Sequence, residues 1–227
     1  MRVRDRASGV SRKASPDSRL EARLLAARLY VITPDATPDR VLEVAVAALR
    51  GGADAVQLRH KSLARGELLT LARELRALTR RSDALFIVND HVDIALLSDS
   101  DGVHLGPDDL TIASARRVAG DRLLIGASAS TPATARAAVA QGADYLGSGP
   151  AFATPIKAAK RVIGPEGIAA IAAGSTVPVF AIGGIDESNI GQLIAAGLRR
   201  VCVIRAVGDA PDPEQATRRL RAMLTSS

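Results

Sequence analysis

The feature that most restricts this chain is a rhythm. Apolar runs of strand length recur at residues 29–33, 55–58, 85–88, 102–105, 123–127, 145–148, 177–182 and 201–204. Segments with helical spacing separate them. "PDRVLEVAVAALRGG" has Pro38 near its start and Gly51-Gly52 at its stop, a common pair of helix boundary signals. "RGELLTLARELRALTRR" places Leu68, Leu71, Leu75 and Leu78 on one helical face. "STPATARAAVAQG" begins on a Ser/Thr cap, "DESNIGQLIAAG" runs from Asp186 to Gly197, and a last helix is expected over about 213–224. Eight strands alternating with helices predict an α/β fold, a closed parallel (β/α)8 TIM barrel. An open doubly wound sheet is the alternative. It would usually stop at fewer strands, and no GxGxxG follows the first strand.

A weak internal repeat points the same way. "GGADAVQL", "SDSDGVHL", "QGADYLGS" and "AAGLRRVCV" each join a helix end to a strand. Aligned on Val56, Val103, Tyr145 and Val201, they recur every 47, 42 and 56 residues, about two βα units each time. Such a barrel needs an aliphatic core. Hydrophobic residues make up 47% of the 227, aromatic residues only 2%, and Trp is absent.

The net charge of +6 suggests nucleic acid until it is located. Residues 1–28 hold eight Arg or Lys against three acids and so supply +5 of it. The rest is near neutral and lacks interleaved basic and aromatic residues for base stacking, so no nucleic-acid partner is expected. Residues 1–24 read as a basic, disordered extension, with 25–227 as one barrel domain. A transit peptide shares that Arg-rich composition. No apolar run approaches a membrane span, and no secretory h-region is present. A single cysteine, Cys202, permits no internal disulfide and suits a reducing, cytoplasmic setting. The oligomeric state is left open, a homo-oligomer included.

Active sites in such barrels form where the strands end at their carboxyl side. The second strand ends in Gln57-Leu58-Arg59-His60-Lys61, the third in Asn89-Asp90, and the fourth leads to Asp109. The fifth ends at Ser128, the sixth enters a long loop with Thr154 and Lys157, the seventh ends in Gly183-Gly184, and the eighth in Ile204-Arg205. Two cations beside two carboxylates suggest a phosphate bridged by a metal. Oxygen ligands without a His/Cys cluster suit Mg²⁺, which takes one or two carboxylates and completes its shell with phosphate and water. The Gly pair suits close approach of an anion. The chemistry implied is two anionic groups in one site, and small-molecule substrates.

The ordered blocks "LYVIT", "VQLRHK", "VNDHVDIAL", "DGVHLGPDDL", "IGAS", "FATPIK" and "FAIGGI" resemble the signature of the thiamine phosphate synthase family over residues 29–207. The resemblance implies a Mg²⁺-dependent transferase that joins a hydroxymethylpyrimidine diphosphate to a thiazole phosphate, releasing pyrophosphate. The C–O bond would break first, leaving a pyrimidinyl-methyl cation that the thiazole nitrogen captures. It implies Gln57, Arg59, His60, Lys61, Asn89, Ser128 and Lys157 for the pyrimidine diphosphate, with Arg59, Lys61, Ser128 and Lys157 closest to catalysis. It implies Asp90 and Asp109 for the metal, and Thr154, Ile156, Gly184, Ile204 and Arg205 for the thiazole phosphate. The sequence departs from the family at His60, where an acid is common, and at Pro107, Ser130, Ile156 and Arg205, which replace Gln, His, Thr and Ser.

Plainer readings stand beside these. Asp90 could cap the helix "HVDIAL". Gly183-Gly184 could be a tight turn, and Lys157 one of a solvated group with Lys160 and Arg161. Asp108 and Asp93 read as surface, and His104 and Cys202 as structural. Two other functions remain open: a thiazole tautomerase-like homologue, and a non-catalytic sensor of thiamine precursors.

Overall fold

The computed structural model describes residues 18–154 and 161–226. Eight parallel strands close into a barrel in chain order. They are β1 (Leu29–Ile32), β2 (Ala55–Leu58), β3 (Leu85–Asn89), β4 (Gly102–Leu105), β5 (Leu124–Ala129), β6 (Tyr145–Ser148), β7 (Val179–Ile182) and β8 (Val201–Val203). β8 pairs with β1 through Leu29↔Val201, Tyr30↔Cys202 and Val31↔Val203, which seals the cylinder. Helices α2 (Pro38–Arg50), α3 (Arg65–Arg81), α4 (Val92–Leu97), α5 (Ile112–Ala119), α6 (Pro132–Ala140), α7 (Gly164–Ala173), α8 (Ile190–Ala195) and α10 (Pro213–Thr225) lie along the chain between and after the strands. A four-residue helix, α9 (Arg205–Gly208), follows β8 directly. It ends β8 one residue before the expected 204, because Ile204 already has helical φ and ψ.

The two-residue period of a strand divides the apolar residues between two cores. Val31, Val56, Phe86, Val103 and Leu146 face the helices. Tyr30, Leu85, Leu124, Tyr145 and Phe180 fill the barrel's interior. Leu146 therefore stands in line with Val56 and Val103, and the sequence alignment on Tyr145 is one residue out. Gly126 makes the interior possible. A Cβ there would lie 2.1 Å from Cζ of Tyr145, so only glycine lets that ring cross the barrel.

The internal repeat has a structural cause. In three of its four copies an aspartate precedes the strand and accepts from the amide of a neighbouring strand. Asp54 takes the amides of Arg28 and Leu29 at 2.8 and 2.9 Å, Asp101 that of Phe86 at 2.8 Å, and Asp144 that of Ile125 at 2.8 Å. A helix arginine neutralises each: Arg221, Arg76 and Arg116. These carboxylates tie neighbouring strands together at the end of the barrel opposite the strand carboxyl termini. The fourth copy carries Arg199 and Arg200 in place of an acid, and Arg200 instead donates to the Leu25 carbonyl at 2.8 Å.

Leu25 belongs to a helix not anticipated from the sequence. The extension was expected to run disordered to residue 24. Instead, α1 (Ser18–Ala26) is an amphipathic helix whose Leu24, with Ala27 just after it, joins the interior core. Arg23 reaches Asp101 at 3.6 Å. Apolar side chains that stopper the open end of the barrel give this segment a folded position despite its charge. Residues 1–17 lie outside the described residues.

Candidate active site

At the carboxyl ends of the strands the barrel opens into two adjoining cavities, of about 410 and about 290 Å³. They share Gly149, Ile182, Cys202 and Ile204 as common wall, so they form one continuous recess.

The larger cavity gathers most of the expected residues. Gln57, Arg59 and Lys61 line it from one side, Asn89 and Asp90 from the next strand, Asp109 beyond them, and Ser128 from β5. The alternation expected for β2 holds, with Arg59 and Lys61 following Gln57 to the inner face while Leu58 packs outward. His60 falls on the other parity and does not line either cavity. Its ring meets the Ala36 carbonyl at 2.8 Å and receives the Leu63 amide at 3.2 Å, which holds the loop after β1 against the loop after β2. The side chain is thus engaged in bracing these two loops.

Asp90 is the most unusual residue of the site. Its φ is 64°, in the left-handed region that non-glycine residues seldom enter. The His91 amide folds back on the Asn89 carbonyl at 2.7 Å, and the Asp90 amide donates to the His104 carbonyl of β4 at 2.8 Å. The turn points the carboxyl at the cavity, so Asp90 is not a helix cap; α4 is capped at His91, without a side-chain bond. Asp109 is set by the Gly106 amide, which donates to its Oδ2 at 2.7 Å. Asp108 is solvent-exposed and Asp93 pairs with Arg65 on the surface.

The two acids meet. Burial, a hydrogen bond to Asp109 and the charge of Asp109 together raise Asp90 from the usual carboxylate range to about 6, against the opposing pull of Lys61 and Arg59. Two carboxylates forced together in a half-buried place are a poor arrangement for an empty pocket and a good one for a divalent cation. Among the described residues no group of three or more His, Cys, Asp or Glu comes together to hold a metal. Two carboxylates alone could hold a divalent cation only together with a ligand that supplies the remaining oxygens.

The smaller cavity is walled by the loops after β6, β7 and β8, including Thr154, Gly183, Gly184, Ile204 and Arg205. Gly183 and Gly184 have φ of 102° and 66°. A Cβ on either would strike the 150–153 loop, at 2.7 Å from Pro150 Cα and 2.6 Å from the Ala153 carbonyl oxygen. The pair is thus a tight turn that also brings its backbone to the cavity wall. Arg205 is half-exposed and donates through Nε to Asp209 at 2.8 Å. Ile156, Lys157 and Lys160 lie outside the described residues.

The floor of the larger cavity was not foreseen. Tyr30, Tyr145 and Phe180 form it, with ring centroids 5.6 to 6.1 Å apart. His104 also lines this cavity, and its Nε2 lies 3.1 Å from Ser128 Oγ. A signal existed: the chain has only two tyrosines, and both fall in otherwise aliphatic strands.

A family model described as thiamine monophosphate synthase matches residues 29–207. Thiamine-phosphate synthase of Gloeobacter violaceus is 48% identical over 198 residues, covering 87% of this chain and 58% of that protein. The relative from Moorella thermoacetica is 48% identical over 185 residues, covering 81% of this chain and 88% of its own length. The chain thus spans about three-fifths of the first of these relatives and most of the second. Among solved structures, thiamine phosphate pyrophosphorylase from Pyrococcus furiosus superposes with a TM-score of 0.82 at 42% identity, covering 90% of this chain and 97% of that one. A 3-hexulose-6-phosphate synthase, at 20% identity and a TM-score of 0.69, shares the fold alone. With the family model matched over residues 29–207 and this degree of identity, the chain belongs to the thiamine monophosphate synthase family.

Proposed function

We propose that the chain is a thiamine phosphate synthase, a transferase that joins 4-amino-2-methyl-5-(diphosphooxymethyl)pyrimidine to thiazole phosphate and releases pyrophosphate. The observation that carries this reading is the convergence of Arg59, Lys61, Asp90 and Asp109 on one cavity that continues into a second, glycine-walled one. In this reading the diphosphate lies against Arg59, Lys61 and Asn89, and the pyrimidine ring rests on the Tyr30–Tyr145–Phe180 floor. Asp90 and Asp109 would hold Mg²⁺, which would supply charge neutralisation to the diphosphate.

The work left to the protein is mostly electrostatic. As the C–O bond lengthens, negative charge grows on the departing pyrophosphate, and Arg59 and Lys61, which line the same cavity, would meet it. The ring left behind is cationic, and aromatic faces beneath it are favourable surroundings for such charge. The aromatic floor also keeps water from the carbon that must wait for the thiazole nitrogen. Lys157 and Ser128 complete the contacts to this substrate in the proposal. The thiazole phosphate occupies the smaller cavity, with Gly184, Thr154, Ile156, Ile204 and Arg205 around it. The shared wall at Ile182 and Ile204 lets the two reacting atoms meet. A cytoplasmic setting accords with the single, buried cysteine; no helix among the described residues is long and apolar enough to cross a membrane.

The test is direct. Purified protein, both substrates and Mg²⁺ are expected to yield thiamine phosphate and pyrophosphate in equal amounts. No product with active controls in parallel refutes the proposed activity, and product that continues undiminished in excess chelator removes the metal from it.

A further inference from the structure

Two successive peptides in the wall of the smaller cavity have their carbonyls tied back and their amides open. The Gly183 carbonyl accepts from the Phe152 amide at 2.9 Å. The Gly184 carbonyl accepts from Asn189 Nδ2 at 2.7 Å. Both peptides are trans, so the amides of Gly184 and Ile185 point away from those partners. Neither amide has a hydrogen-bond acceptor among the described residues, although Ile185 is only 5% exposed. Gly184 and Ile185 both line the cavity, whereas Asn189 does not. Buried amides are seldom left unpaired, and adjacent open ones make a common seat for an anion.

Glycine gives this turn its shape and also its looseness. At φ of 102° and 66°, and without a Cβ, the peptides around Gly183 and Gly184 can rotate at little cost. A rotated Gly184–Ile185 peptide would present a carbonyl oxygen where an anion needs a proton. Asn189 opposes that rotation. Its Oδ1 accepts from the Asp186 amide at 3.0 Å while its Nδ2 holds the Gly184 carbonyl. One of these backbone partners can only donate and the other can only accept, so the side-chain amide has a single orientation. We infer that Asn189 is a positioning residue: by holding the Gly184 carbonyl back, it keeps the Ile185 amide turned to the phosphate of the second substrate. The inference rests on the reading that thiazole phosphate occupies the smaller cavity.

Its test separates KM from kcat. Asn189→Ala is expected to raise KM for thiazole phosphate about thirtyfold, the worth of one hydrogen bond to a charged group, with kcat and KM for the pyrimidine diphosphate within about twofold of native. Ser188→Ala is the control. It removes the Ser188 Oγ bond to Asp186, 2.6 Å long, from the same turn and leaves the Asn189 clamp in place. Its KM for thiazole phosphate is expected to stay within about twofold of native. A KM unmoved in Asn189→Ala, an equal rise for both substrates, or an equal rise in Ser188→Ala overturns the inference. Amide NMR of the isotope-labelled native protein gives a second reading that needs no variant. Saturating thiazole phosphate is expected to move the Ile185 amide proton downfield, as a bond to a phosphate oxygen does. Signals of Gly183 and Arg205 that respond while the Ile185 amide stays in place overturn the inference. Failure of the underlying reading looks different, since then no signal from the smaller cavity responds.

Discussion

Replacing Asp90 by asparagine tests the meeting of the two acids through stability rather than through turnover. In the folded, metal-free protein Asp90 titrates near 6, raised by burial and by Asp109. Unfolded, an aspartate titrates near 3.9. Between those values the folded chain holds a proton that the unfolded chain has lost, so stability falls as pH rises through this window and is level above about 6. Each pKa unit corresponds to about 1.4 kcal/mol, which sets a ceiling of about 3 kcal/mol. Asp90 is only half-buried, and solvent screening reduces this to about 1 kcal/mol. The amide introduced by Asp90→Asn carries no charge and therefore none of this penalty. In thermal unfolding with a chelator present, the variant is expected to melt about 2–4 °C above the native protein at pH 8. That gain is expected to shrink towards pH 4. Asparagine also suits the left-handed backbone at this position somewhat better than aspartate, but that gain does not depend on pH and shows as a constant offset. Adding Mg²⁺ should then raise the melting point of the native protein and leave the variant's unmoved. A gain identical at pH 5 and pH 8, or a variant less stable at pH 8, refutes the claim that the two carboxyls oppose each other.

Other expectations follow from single contacts. Arg59→Ala and Lys61→Ala should each lower kcat/KM for the pyrimidine diphosphate by about a hundredfold or more, read in steady-state kinetics, since each removes a charge placed at the leaving group. Arg205→Ala should raise KM for thiazole phosphate about tenfold with little change in kcat, whereas Asp209→Ala, which frees the guanidinium, should lower it. Asp101→Ala would strand the Phe86 amide and two arginines and should cost about 3–5 kcal/mol in denaturant unfolding. Asp99→Asn, which breaks an exposed charge pair with Arg80 and keeps a residue that tolerates the left-handed backbone there, should cost less than about 1 kcal/mol.

The barrel and the gathering of charged residues at its mouth were legible in the chain because both are written in local periodicity. Strand residues alternate, helices repeat every three to four, and the barrel fold puts strand carboxyl ends at one mouth; Arg59, Lys61, Asp90 and Asp109 follow from that alone. The bracing contact of His60 was not legible, because a one-residue change of parity turns its side chain away from the cavity and its partner Ala36 lies on another loop. Helix α1 was missed because its charge resembles a solvated tail, while the apolar surface it covers is contributed by strands far along the chain.

Strand number, strand direction and the residue types at the strand ends depend on neighbours within a few positions, and so the chain alone is enough to fix them. Three other features needed the closed cylinder: the turn of Asp90 onto Asp109, the contact of Gln57 with Tyr30, and the reach of Tyr30 to Tyr145 115 residues away. Hydrogen bonds and charge repulsion act over a few ångströms in space, and closing the cylinder is what brings those groups within that range.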